Sequence, residues 1–363
     1  MRKIFTVTYI LYCCFALAQD GSPASPYYDG FDFTQTGTAL RLNLSEKINI
    51  THTRLLTYQD AENAIKIIDR DPSDSSNQTI FLIYGFSENR CPENSFDFVD
   101  HLKRDRFADG TGFCEWNREH TYPRSLGNPD LGTQGPGADV HHLRPSDVTK
   151  NADRGNSKFG AGSGNAGYYD SFWYPGDEWK GDIARMMMYM YLHYGDQCLP
   201  KNVAVGDINA TDSNMIDLFL QWNAEDPVSE LEEIRNTYLG NTDNFFAQGN
   251  RNPFIDNPYL ATLIWGGIPA ENKWPALSTT TSVDLFCSVT VYPNPTQNNQ
   301  VNITSDIPFD SIQLLNTNGQ LVHEYKNPAA INQSYTLENL PQGFFFLKLN
   351  ATKQTTTRKV IVN

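Results

Sequence analysis

A change of pattern after Trp274 divides this chain. Upstream of it, apolar residues recur at helical spacing; downstream, they alternate in short runs broken by Asn294-Pro295, Asn318-Gly319 and Pro341-Gln-Gly343. A period of three to four residues buries one face of a helix, and a period of two buries one face of a strand. Between the two patterns, residues 275 to 286 are rich in Ser and Thr, the composition of a linker. The expectation is therefore α+β. A mainly helical domain spans 19–274, a linker 275–288 and a small all-β sandwich 289–363. With 39% hydrophobic and 12% aromatic residues among 363, the chain has the means to bury such cores.

The first residues, 1–18, combine a basic start, a short apolar run and an Ala16-Leu-Ala18 end. That reads as a secretory signal peptide and not a membrane span. Nothing later is long and apolar enough to cross a bilayer, so the mature protein is expected to be soluble and exported. Cys13 and Cys14 leave with the signal, and Cys91, Cys114, Cys198 and Cys287 remain. In an oxidising compartment they allow one or two disulfides in three pairings. Cys91 with Cys114 is the first choice, since it braces the strand before Glu119.

Several helices are expected in the first domain. One enters near Thr38 to Ser45, one covers 61 to 69, and the clearest runs from Asp177 to Tyr194 with Ile183, Met187, Met190 and Tyr194 on one face. Its consecutive methionines read as core packing. Asp212 to Trp222 is a further amphipathic helix, Ser229 with Glu232 forms a capping box, and Asn257-Pro258 opens a last helix. Ile80 to Tyr84 has the length of a strand. Arg251 reads first as part of a turn and second as a phosphate contact.

The chemistry concentrates between Cys114 and Gly160, which holds three of the seven histidines. Alternation suggests a short strand carrying Glu119 and His120, then a Gly/Pro-rich loop, a second strand near Val140 and a helix from about Asp147. The Asn, Asp, Glu and Arg residues of this stretch fit phosphate and metal chemistry, in which a water is activated and developing charge is stabilised. A neutral imidazole takes a proton from water near neutral pH, which suits His120. A hard divalent ion prefers oxygen donors, which the Glu119 carboxylate and the Asn151 carbonyl offer. Arg154 has a guanidinium fork suited to phosphate. Asp139 suits orienting His120 or the loop, His141 the same, and His142 a phosphate. Taken singly, each has a plainer reading: a lone Asn caps or turns, and a lone His satisfies a hydrogen bond. Neighbours on a strand also face opposite ways, so Glu119 and His120 share one site only if the strand bends.

The net charge of -14 argues against a polyanionic partner. From Glu115 to Gly160, however, basic and acidic residues balance, so the acidic excess lies elsewhere. Substrate binding is expected to be weak and salt-sensitive, with a metal ion supplying much of the positive charge.

In order, these residues resemble the secreted bacterial endonuclease I family. The matching runs are Glu119-His120-Thr-Tyr-Pro123, Asp139-Val-His141-His142-Leu143-Arg144-Pro145 and Asn151-Ala-Asp-Arg154-Gly155-Asn156. A weaker match covers Lys180-Gly181-Asp182-Ile183-Ala184-Arg185. The resemblance implies a ββα-metal site that cuts DNA, and often RNA, without sequence preference and leaves 5′-phosphates. It makes His120 and Arg154 catalytic, Glu119 and Asn151 ligands of magnesium (calcium or manganese as alternatives), and Asp139, His141, His142 and Asn156 supporting. Two features of some members are missing: an acidic residue where Gly135 to Ala138 stand, and a Cys-rich insertion with its arginine. From Val289 onward the chain resembles the C-terminal sorting domain of the type IX secretion system, through Val291-Tyr-Pro-Asn-Pro295, Asn318-Gly-Gln320 and Leu340-Pro-Gln-Gly343-Phe. That implies a Bacteroidetes-like source, a periplasmic stage and export through outer-membrane machinery, leaving the protein secreted or at the cell surface. Two other readings are a zinc hydrolase using His120, His141 and His142, without the H-E-x-x-H of zincin proteases, and a non-catalytic surface adhesin.

Overall fold

A computed structural model describes residues 21–86, 100–275, 289–316, 319–330, 334–351 and 354–363. The expected signal peptide, most of the linker, Cys91 and Cys287 lie outside the described residues. The chain forms two units, Met1–Leu277 and Ser278–Asn363.

In the first unit, α1 (Gly37–Thr51) and α2 (Tyr58–Ile68) precede two short paired strands, β1 (Thr79–Phe81) and β2 (Lys103–Asp105). A hairpin follows: β3 (Trp116–His120) runs antiparallel to β4 (Leu143–Asp147), with Glu119 opposite Arg144 and His120 opposite Leu143. Asp147 ends the strand and caps α3 (Val148–Arg154), its Oδ1 accepting from the amides of Thr149 and Lys150 at 3.0 and 2.9 Å. The second strand begins three residues beyond Val140. The reason is local: the Asp139 side chain accepts the His141 amide and closes Val140–His142 into a 3₁₀ turn.

A small hairpin of β5 (Gly167–Tyr169) and β6 (Phe172–Tyr174) leads to α4 (Lys180–Tyr194). Every residue of this helix from Gly181 to Leu192 is buried, the charged Asp182 and Arg185 included. Ile183, Met187 and Met190 are buried as expected, and the positions between them are buried as well: α4 is the central core helix, packed by α1, α6 (Asp217–Glu225) and α8 (Pro253–Asp256). Met186, Met187, Met188 and Met190 all fill the core. Helix α5 (Pro200–Val203) lies between α4 and α6. The start of α6 is five residues later than expected, because Ile216 is still extended and bridges Ile208. Ser229 and Glu232 form the expected capping box of α7 (Glu230–Gly240). Asn257 accepts the first amide of α9 (Tyr259–Trp265) at 3.3 Å. Arg251 pairs with Asp256 at 2.6 Å, which is its turn-stabilising reading.

Six buried charges tie these elements together. Arg144 on β4 meets Asp69, which ends α2, at 2.8 Å and Asp182 on α4 at 2.9 Å. Arg185 on α4 grips both oxygens of Glu232 on α7 at 2.6 and 2.7 Å. Arg235 on α7 pairs with Asp69 and also donates to the carbonyls of Val140 and Leu143.

The second unit contains an antiparallel four-stranded sheet, ordered β10-β9-β12-β13, and a three-stranded one, ordered β11-β8-β7. In chain order the strands are β7 (Thr290–Tyr292), β8 (Val301–Thr304), β9 (Ser311–Asn316), β10 (Leu321–Lys326), β11 (Ser334–Leu337), β12 (Gly343–Ala351) and β13 (Gln354–Val362). Val301, Ile303, Ile312, Leu314, Leu347 and Leu349, alternating along their strands, share one core. Among the described residues no helix is long and apolar enough to cross a membrane.

Arg185→Ala would leave Glu232 and Asp182 buried without that partner. The expected loss is about 3–5 kcal/mol in urea denaturation; a loss near zero would show that the network does not carry the fold.

Candidate functional site

A cleft of about 330 Å³ opens at the end of β3. Three consecutive residues of that strand's end, Arg118, Glu119 and His120, line it, together with Tyr58, Arg124, Asn151 and Asn156. The expected conflict of alternation is thereby resolved: His120 is the last residue of β3, where the chain turns away, and the cleft wraps around that end.

The imidazole of His120 is held on two sides. Its ring stacks on Tyr58 of α2, with centroids 5.7 Å apart and planes 22° from parallel. Its Nε2 lies 3.0 Å from the Gly137 carbonyl oxygen. A carbonyl only accepts, so Nε2 carries the proton and Nδ1 is the basic nitrogen. Burial, helped by neighbouring His142, pushes the ring's pKa down to about 3, so it is neutral at any ordinary working pH.

Glu119 is buried, and its Oε1 receives the Tyr84 hydroxyl at 3.0 Å and the Arg154 guanidinium at 3.0 Å. Burial raises its pKa to about 7 against the opposing pull of Arg154 and Tyr84. Tyr84 reaches it from a backbone with φ of 72°, a strained conformation for a bulky residue. The run expected to be a strand through Tyr84 ends instead at Phe81, and Ile83 bridges Ser146.

The side-chain amide of Asn151 is fixed by two acceptors. Its Nδ2 donates to Asn117 Oδ1 at 2.6 Å and to the Arg118 carbonyl at 3.3 Å. The nitrogen side is thereby committed, and the carbonyl oxygen is the end left for a ligand. With the Glu119 carboxylate it makes an all-oxygen donor set, which fits a hard divalent ion.

Other expected site residues are placed differently. The Arg154 guanidinium is wholly buried beneath the cleft, donating to the carbonyls of His120 and Thr121 at 3.0 and 2.8 Å as well as pairing with Glu119. Placed there, it grips the protein and does not offer its fork to phosphate. Asp139 does not reach His120; it accepts from the His141 amide, Gln248, Tyr189 and Tyr194 and so organises its own loop. His141 is buried with Nε2 on the Asn250 carbonyl, and His142 is buried with Nε2 on the Pro136 carbonyl. Burial takes His142 out of reach of a phosphate. Since His120, His141 and His142 point Nε2 at three different carbonyls, they do not form the zinc set considered from sequence. Asn156 is exposed at the rim, 3.4 Å from the Ser125 hydroxyl.

Four contributors were not anticipated. Asn117 shares a strand face with Glu119 two residues on, a signal the sequence does contain. Arg124 lines the cleft, exposed and without a hydrogen-bond or ion-pair partner among the described residues. Tyr58 and Tyr84 come from 62 and 36 positions before His120 (120 − 58 and 120 − 84), and nothing local marks them. Cys114 is disulfide-bonded and Cys198 is a free buried thiol; the expected Cys91–Cys114 pairing lies outside the described residues.

Two outcomes follow. If Glu119 is a ligand, an incoming cation must displace its proton below about pH 7, whereas above it the carboxylate is already charged. Cation affinity measured by calorimetry should therefore fall towards about tenfold per pH unit below 7. Equal affinity at pH 8 and 6 would remove Glu119 from the ligand set. Asn117→Ala frees the Asn151 amide to rotate and should weaken the same binding by about 10–100-fold without unfolding the chain.

Comparison with known proteins gives two family matches. The model described as Endonuclease I covers residues 36–259, and the Secretion system C-terminal sorting domain covers 290–363. The chain is 37% identical over 262 residues to an extracellular ribonuclease of Bacillus subtilis (strain 168), spanning 67% of this chain and 82% of that one. It is 37% identical over 242 residues to an extracellular ribonuclease of Bacillus amyloliquefaciens, spanning 64% and 75%. A solved structure of PorZ, a surface component of the type-IX secretion system of Porphyromonas gingivalis, overlaps 23% of this chain and 12% of its own at 15% identity. Its TM-score of 0.19 gives that likeness no functional weight.

Proposed function

Because this chain belongs to the endonuclease I family, we propose that it is a secreted, metal-dependent endonuclease in which His120 takes the proton of the attacking water and Glu119 and Asn151 hold the ion. Magnesium is the first choice of ion, with calcium or manganese able to replace it. The observation that carries this reading is the tautomer of His120: Nε2 is spent on the Gly137 carbonyl, so Nδ1 is the free base in a cleft shared with Glu119 and Asn151.

On this reading β3, β4 and α3 are the family's ββα-metal motif. When bound, the ion supplies Lewis-acid charge to the phosphate and its leaving oxygen. His120 removes the proton as water attacks phosphorus; the P–O3′ bond breaks, the 3′ oxygen takes a proton from solvent to become a hydroxyl, and the other product ends in a 5′-phosphate. Tyr58 and the Gly137 carbonyl hold the imidazole in place for that transfer. Arg154 neutralises Glu119 from below and fixes the chain on either side of the His120–Thr121 bond, a positioning role. Arg124 is the residue placed to meet a substrate phosphate. Arginine and aromatic contacts of this kind suit nucleic acid without sequence preference. RNA is a substrate alongside DNA, a reading supported by the names of the Bacillus relatives. The signal peptide takes the chain to the periplasm, and the sorting domain takes it across the outer membrane.

The test uses the purified chain on supercoiled plasmid and on a long single-stranded RNA, with and without magnesium. Cleavage of both should need the ion, and His120→Ala should lower kcat by about 10²–10⁴. Undiminished cleavage by that variant would move the base elsewhere. A folded chain inert on both polymers with magnesium, calcium and manganese would overturn the proposal.

A further inference from the structure

Among residues that do not line the cleft, a second constellation converges. His52 closes the C-terminal end of α1, His193 stands one residue before the end of α4, and Asp139 starts the 3₁₀ turn between them. One ligand atom from each lies within 4.8 Å of the other two. His52 Nδ1 is 2.7 Å from His193 Nε2, and His193 Nε2 is 3.8 Å from Asp139 Oδ2. Those two distances bracket the ~3.3 Å at which tetrahedral ligands stand apart when each is ~2.0 Å from zinc.

The geometry points to a second metal site here, one for zinc, formed by His52, Asp139 and His193 with the fourth position left open. Two imidazoles and one carboxylate are a donor set for this borderline ion, whereas the cleft's carboxylate and amide oxygens suit a harder one. The carboxylate is fixed in place, with Oδ1 accepting from the His141 amide and Gln248 and Oδ2 from the Tyr189 and Tyr194 hydroxyls at 2.8 and 2.9 Å, so an ion takes Oδ2 by displacing one of those two hydroxyls. His193 is 6% exposed, and His52 is half-buried, so an ion and a fourth, water ligand reach the site past His52. The site clamps the ends of α1 and α4 onto the turn that follows Gly137, whose carbonyl fixes the tautomer of His120. It is independent of the nuclease reading, since it needs no substrate and shares no residue with the cleft.

The test is a metal count and a spectrum on the full chain. After chelation and dialysis, zinc is returned and the protein is passed through gel filtration; about one zinc per chain should remain bound and raise the melting temperature. Cobalt added instead should give the visible absorption of a tetrahedral nitrogen–oxygen site. His52→Ala, at the half-buried rim, and His193→Ala should each lose the zinc and the colour, while Glu119→Gln keeps both. Absence of retained zinc and of a tetrahedral cobalt spectrum in the unmutated chain overturns the site, whether or not the variants fold. Retention in His52→Ala together with loss in Glu119→Gln overturns it too, by assigning the ion to the cleft.

Discussion

The first unit depends on a buried chain of alternating charge. Asp69, Arg144, Asp182, Arg185, Glu232 and Arg235 are each at most 3% exposed, and they join the end of α2 to β4, α4 and α7. Three guanidinium groups face three carboxylates, so the set is neutral as a whole. Moving six charges out of water is costly, and mutual attraction offsets that cost only when every partner is in place. The arrangement therefore acts less as a source of stability than as a condition on it: each of the six groups has an opposite charge beside it only when these four elements dock as they do. Arg235 extends this condition to the turn at Val140–Leu143, and Arg144 applies it to β4 directly opposite Glu119.

Much of this site could be read from sequence, for a physical reason. Glu119, His120 and Asn151 sit at a strand end and on a short helix within 33 residues, and pairing with β4 brings them together without help from distant parts of the chain. What sequence could not supply was depth. Arg154 has a side chain built for phosphate, and only the fold shows that the guanidinium ends under the cleft among backbone carbonyls. His142 is misread in the same way. The converse error is α4, where a real helical period hides the fact that the intervening positions are buried too. Tyr58 and Tyr84 were out of reach altogether, because a ring that stacks on His120 and a hydroxyl that holds Glu119 leave no local pattern. Asn117 was within reach through its two-residue spacing from Glu119.

The two arginines that line the cleft differ in what they face. Arg118, the third residue of β3, is occupied by Glu62, the Tyr58 carbonyl and the Tyr58 ring. Arg124 stands beyond Pro123 at the mouth of the same cleft and is exposed there. The cation that faces solvent is therefore carried on the turn after the strand, a place where length and sequence vary at little cost to the core.

The bond from Asn151 to Asn117 has a consequence for charge. Aspartate at position 151 would lose the two N–H donors that Asn117 and the Arg118 carbonyl require, and would set a carboxylate against two oxygens. The fold thus selects an amide where a hard ion would accept an acid. Since Arg154 already offsets the Glu119 carboxylate, a divalent ion held there and by a neutral amide would keep nearly all of its positive charge uncancelled. In a chain whose formal net charge is -14, that residual charge makes the cleft locally attractive to a polyanion that most of the surface repels.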